Sequence, residues 1–199
     1  AHLIPHPTET YTIGSGKGDY EKAHIPGADF LDLQQELSNN ASKLRFTFPS
    51  AEHFSKAIGA HGLSNDNQAV LYSTTSPQWA TRIWWMLRAF GFDNAKVLDG
   101  GLIRWVQKGY PTSTIPSTYP EQSFTAKPRP GLIIQKSEVL EGIHESNTCI
   151  INALSQEQHI GVGGRTYGRP GRIKDSENVP TTELIDPETN EFYPAAVIA

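Results

Sequence analysis

Apolar and polar positions in this chain come in short blocks. In "VLYSTTSPQWATRIWW" (70–85), the run Ala69-Val70-Leu71-Tyr72 breaks into four hydroxyl residues, Ser73, Thr74, Thr75 and Ser76, then Pro77. The apolar pattern then resumes at helical spacing. This predicts a strand over 69–72, a polar loop over 73–77 and a helix from about 78 to Phe90, stopped by Gly91. The helix is apolar nearly all round (Trp79, Ile83, Trp84, Met86, Leu87, Phe90), so most of it is expected to be buried. "PSAEHFSKAIGAHGL" (49–63) reads as a second helix, N-capped by Ser50 and ended by Gly62, with Phe54 and Ile58 on one side. "AKVLD" (95–99) is a short strand. Gly100-Gly101 turns it into the helix "LIRWVQKG", which ends at Gly109 with Pro111 beyond. "HIPGADFLDL" (24–33) reads as a turn at Pro26-Gly27 followed by a short strand or a helix start. Residues 1–23 read as loop.

Strands and helices alternating in short pieces imply an α/β fold, a mostly parallel sheet flanked by helices. Residues 112–130 hold Pro116, Pro120, Pro128 and Pro130 among many Ser and Thr, the composition of a connector. Beyond it, "SEVLEGIH" reads as helix and "TCIINAL" (148–154) as a buried strand. A Gly/Arg-rich loop follows over 161–172, and "ENVP" leads to another short strand. The expected organisation is a first domain over 1–111, a connector over 112–130 and the first part of a second domain over 131–199. The only methionine is Met86, and the chain stops in "YPAAVIA" as if inside a helix, so both ends read as cuts.

Composition narrows the classes. A net charge of -4 argues against a nucleic-acid partner. No apolar run approaches the roughly 20 residues that span a bilayer, and no secretory leader is visible. The single cysteine, Cys149, rules out an internal disulfide framework and fits a reducing, cytoplasmic setting. Inside "TCIINAL" it is expected to be a small core residue. No Cys or His spacing suggests zinc, and neither metal nor cofactor is expected.

A strand feeding a polar loop and then a helix N-terminus is a common anion site, because unpaired N–H groups and partial positive charge converge there. Ser73, Thr74, Thr75 and Ser76 are the candidates, with Arg82 near enough to hydrogen-bond the loop. A structural loop, or one packed on the second domain, is the alternative for 73–77. A buried ion pair is the alternative for Arg82. Ser73 has no histidine near it in sequence to activate it as a nucleophile. His24, beside Pro26-Gly27, reads as a turn-fixing residue. Asp99-Gly100-Gly101 reads as a turn needing positive φ. Trp84, Trp85 and Trp105 read as packing residues.

"YEKAHIPGADFLDL", "VLYSTTSPQWATRIWWMLRAFG" and "KVLDGGLIRWVQKGYP" together resemble the first domain of tandem rhodanese-type sulfurtransferases. "GRIKDSENVP" (171–180) is similar to the second domain's version of the first motif. The resemblance implies two similar α/β domains with a site between them. It also implies transfer of sulfane sulfur from thiosulfate or 3-mercaptopyruvate, through a cysteine persulfide, to a thiol or thioredoxin-type acceptor. The nucleophile in such enzymes directly follows the strand that enters the loop. Here that position is Ser73, so the first domain is expected to be silent. The equivalent loop of the second domain would lie beyond Ala199. Active relatives often carry Asp-Ser-Arg where this chain has Asn152-Ala153-Leu154. Arg165, Arg169 and Arg172 are then the candidate basic residues for an anionic donor, or else a solvated loop. The resemblance thus leads to an inactive piece of a sulfurtransferase. A non-catalytic rhodanese-like interaction or regulatory module is the alternative.

Overall fold

The computed structural model describes residues 1–4, 12–164 and 168–198. The chain divides into two compact units. The first consists of Ala1–Ile4, Ile13–Pro130 and Thr189–Glu191. The second is built mainly on Gly131–Glu188. Strands β1 (His2–Ile4) and β2 (Thr12–Gly14) pair with each other.

In the first unit, α1 (Lys17–Lys22) and α2 (Ala51–Ala60) precede β3 (Ala69–Leu71). Then come α3 (Gln78–Ala89), β4 (Ala95–Val97) and α4 (Gly101–Gln107). β3 and β4 are parallel, with Ala69 opposite Ala95 and Leu71 opposite Val97. The expected caps form. Ser50 Oγ accepts from the His53 amide at 3.1 Å, and α3 ends on Gly91 at φ +89°.

α2 and α3 converge on one core. Phe54, Ile58, Met86, Leu87, Phe90 and Phe92 are each at most 5% exposed, and the Phe54 and Phe90 rings stack 4.4 Å apart. α3 is less deeply buried than its all-round apolar pattern predicts. Ala80, Met86, Leu87 and Ala89 are sealed, while Trp79, Ile83 and Trp84 are half-buried. Residues 28–33 form neither strand nor helix. The Asp29 carboxylate accepts from the Phe30 amide at 2.7 Å, and Asp32 accepts from the amides of Gln34 and Gln35, both at 3.0 Å. Such local bonds compete with regular backbone pairing.

Residues 112–130, expected from composition to be a connector, pack along the first unit. Phe124 is 6% exposed, with its ring 5.7 Å from Phe92 and 6.0 Å from Phe54. The amides of Gln122, Lys127 and Arg129 donate to the carbonyls of Gly59, Phe90 and Ala89. Gly59 permits this contact, since a Cβ there would lie 2.4 Å from the Gln122 carbonyl oxygen.

In the second unit, α5 (Lys136–Gly142) has a capping box between Gln135 and Glu138. β5 (Ile151–Asn152) runs parallel to β6 (Glu177–Asn178), so the short strand expected near "ENVP" forms. α6 (Gln156–Ile160), a 3-10 turn (Thr181–Leu184) and α7 (Ala195–Ile198) complete it. "TCIINAL" was expected to be a buried strand with Cys149 in the core. Instead the strand is two residues long, Ile151 is 59% exposed and Cys149 is exposed. The only strand paired with β5 among the described residues is β6, and of the apolar residues here Ile150 is only partly buried.

Candidate functional site

The strand-to-helix junction of the first unit starts at β3. Its C-terminal neighbour Tyr72 accepts the Ile25 amide on its hydroxyl at 3.0 Å, which ties the "HIPG" turn to the strand end. Burial pushes the Tyr72 phenol above its ordinary pKa. Ser73 is fixed on two sides. Its hydroxyl donates to the Ser76 carbonyl at 2.6 Å, and its carbonyl accepts from the Leu102 amide at 3.1 Å. Gly101 makes the second bond possible. Its φ is +53°, and a Cβ there would sit 2.6 Å from the Ser73 carbonyl oxygen. The expected Gly100-Gly101 turn is therefore present, and it brings α4 against the loop.

The Ser73 hydroxyl proton is thus committed to a carbonyl within its own loop, and no histidine among the described residues bonds to it. Pro77, at the N-cap of α3, lacks an N–H, and Ser76 Oγ makes a long 3.4 Å contact with the Gln78 amide. The Thr75 carbonyl accepts from the Asn190 side-chain amide at 2.8 Å.

Arg82 takes neither expected role. It donates to the Phe46 carbonyl at 2.9 Å and lies over the Phe48 ring, 4.8 Å from its centroid. Burial lowers its pKa, and its Nε has no hydrogen-bond partner among the described residues. One helical turn carries it away from 73–77 towards 46–48. Arg169 and Arg172 are exposed in the second unit, and Arg165 lies outside the described residues. The His24 ring does not bond to the Pro26-Gly27 turn but ties the end of α1 to the 113–115 segment. It is fully buried, with Nδ1 2.7 Å from the Tyr20 carbonyl and Nε2 3.0 Å from that of Ile115.

A cavity of about 420 Å³ lies beside β3 in this unit. Its lining includes Ser73–Thr75, Phe30, Leu33 and Trp79, with Asp29 and His61 as polar groups. His61 was not foreseen. Its Nδ1 is 2.7 Å from Asp29 Oδ2 and its Nε2 2.9 Å from Glu36 Oε1. The Glu36 hydrogen bond, aided by Asp29 and opposed by burial, raises the His61 pKa to about 9. Burial works against ionisation of Glu36, but the His61 bond and the Asp32 amide outweigh it and hold the carboxyl low. Both imidazole nitrogens are taken, so this cluster offers no lone pair to a metal. Partners 25 and 32 residues away leave no local signature in sequence.

Residues 15–108 match the rhodanese-like domain family. Over 185 residues the chain is 30% identical to thiosulfate sulfurtransferase of Rattus norvegicus, covering 88% of this chain and 61% of that protein. It is 32% identical to 3-mercaptopyruvate sulfurtransferase of the same organism over 183 residues, covering 90% and 61%. Among solved structures, SseA from Escherichia coli, described as having the "rhodanese" fold of 3-mercaptopyruvate sulfotransferases, superposes with a TM-score of 0.78 at 30% identity. That match covers 90% of this chain and 66% of SseA. Tum1 from Saccharomyces cerevisiae superposes at 0.80 with 20% identity, a likeness of fold alone. The chain spans about three-fifths of the length of the curated relatives it matches.

Proposed function

Since the chain belongs to the rhodanese-like family, we propose that it is the silent first domain and the opening of the second domain of a sulfurtransferase. The whole protein would move sulfane sulfur from a small anionic donor, thiosulfate or 3-mercaptopyruvate, to a thiol or thioredoxin-type acceptor. The 199 residues by themselves would not turn over. In such a reaction a cysteine thiolate attacks the sulfane sulfur of the donor. An S–S bond forms on the protein, the donor's own bond to that sulfur breaks, and sulfite or pyruvate leaves. A second thiolate then takes the outer sulfur and regenerates the first.

One observation supports the reading. Ser73, the residue that the family resemblance aligns with the persulfide position, is a serine whose hydroxyl is bonded to the Ser76 carbonyl. A serine oxygen cannot form the S–S bond on which the cycle depends. Cys149, the one thiol, is exposed beside β5 and not at a loop entering a helix. No helix among the described residues is long and apolar enough to cross a membrane.

The test is thiocyanate release from thiosulfate and cyanide by the purified chain and its Cys149→Ser variant. We expect background rates for both. Turnover that persists through repurification and disappears in Cys149→Ser would overturn the proposal.

A further inference from the structure

The 73–77 loop is held by its own Ser73–Ser76 bond, by α4 and by a segment far from it in sequence. Thr189–Glu191 belongs to the first unit, although it lies more than a hundred residues beyond the loop in sequence. Asn190 Nδ2 donates to the Thr75 carbonyl at 2.8 Å and makes a longer contact, 3.4 Å, with the Gly100 carbonyl. Its backbone φ is +61°, a conformation that asparagine adopts more readily than most residues. Glu191 Oε1 lies 3.1 Å from Arg104 Nε, an ion pair without an aligned hydrogen bond. Gly100 leaves the room for it, since a Cβ there would be 3.0 Å from Glu191 Cγ. Arg104 lies in α4, whose Leu102 amide binds the Ser73 carbonyl. The loop, the Gly100 turn and α4 thus present two carbonyls and one guanidinium to a single three-residue turn. That turn returns an amide donor and a carboxylate.

We propose that the 73–77 loop has become the seat of the chain's own 189–191 turn, with Asn190 as its positioning residue and Glu191 occupying the cation beside it. An external anion would meet Glu191 at the guanidinium most able to attract it. In this chain the loop therefore binds a piece of its own polypeptide in place of sulfate or thiosulfate. The inference goes beyond the proposed sulfur chemistry and does not depend on it, because it rests on contacts made whether or not the whole protein is an enzyme.

The test compares the whole chain with its Asn190→Gly and Glu191→Gln variants. Glycine keeps the positive φ and removes only the amide. Amide hydrogen exchange at Ser76, Gln78 and Leu102 should speed up about 2- to 12-fold in Asn190→Gly, the range expected for one lost hydrogen bond, while core amides of α3 stay as in the parent. Sulfate titration followed by NMR should shift no amide of residues 74–78 in the parent. In Glu191→Gln, which frees Arg104, such shifts should appear. Unchanged exchange in Asn190→Gly would overturn the seat. Equal sulfate shifts in parent and Glu191→Gln would overturn the role of Glu191. A sulfur-transfer assay on the same samples is a separate readout, so failure of the functional proposal remains distinguishable from failure of this one.

Discussion

His61 shows how much one side chain can contribute through partners distant in sequence. It bridges Asp29 in the turn after "HIPG" and Glu36 further along the same irregular segment. Its folded pKa of about 9 lies above its ordinary 6.5. A raised folded value means that the stabilisation is complete below about 6.5 and is lost as pH climbs through about 9. Glu36, held low, sets the acid flank: its contribution is present above the ordinary carboxylate range and is lost as pH falls through the lowered value. We expect the stability gap between the chain and its His61→Gln variant, from urea unfolding at a series of pH values, to be widest near pH 6 and to close towards pH 10. A gap that is the same at pH 7 and pH 10, or an NMR titration of His61 near its ordinary value, would contradict the bridge. At this scale the sequence was legible where chemistry sits on consecutive residues. The polar loop at Ser73–Ser76, Ser50 as a cap and the Gly100-Gly101 turn are all of that kind. It was illegible where a role depends on who arrives from elsewhere, as for His61, Arg82 and Asn190.

Among the elements, the segment 112–130 departs furthest from expectation. Its prolines prevent helix and central strand, which is what composition reports, but a chain without regular structure can still seal a core. Phe124 fills the space between Phe54 and Phe92, and Arg129 forms a bidentate pair with Asp93 at 2.7 and 2.6 Å. The aromatic pair contacts outweigh the exposed ion pair, because surface charges in water contribute little. Phe124→Ala should therefore cost about 3–5 kcal/mol, the range for deleting a buried phenylalanine, whereas Arg129→Ala, which removes only a solvent-exposed ion pair, should cost much less. Chemical denaturation of the two variants checks the order. A Phe124→Ala loss no greater than that of Arg129→Ala would return 112–130 to the status of a connector. α2, α3, α4 and α5 were legible because their period, caps and glycine stops are local, whereas β1, β2 and α1 form in a stretch that reads as loop, and the short α6 was not foreseen. The packing of 112–130 was not, since it depends on Gly59 facing Gln122 across more than sixty residues.

At the scale of the whole chain, the two units differ in how much apolar surface they seal. The first has ten side chains in a continuous buried cluster. In the second, no Leu, Ile, Val or Phe among the described residues is fully buried, and Val162 is 75% exposed. Apolar burial is the main favourable term in folding, so opening should be easier where it is scarce. Hydrogen exchange followed by mass spectrometry should show α3 and α2 as the slowest peptides and residues 168–188 exchanging well before them. Protection of β5 and β6 equal to that of α3 would contradict this ranking.

The sequence by itself determined the α/β pattern, the junction at 73–77, the family and the absence of a sulfur nucleophile from that junction. Each of these is written in contiguous residues whose backbone preferences and side-chain chemistry act over a few positions. Only the tertiary structure decided that Cys149 is exposed, that 112–130 belongs to a core, that Arg82 turns to Phe46 and that Asn190 holds Thr75. Burial and hydrogen bonding at those positions are properties of pairs brought together by folding, and neither member of a pair carries the information alone.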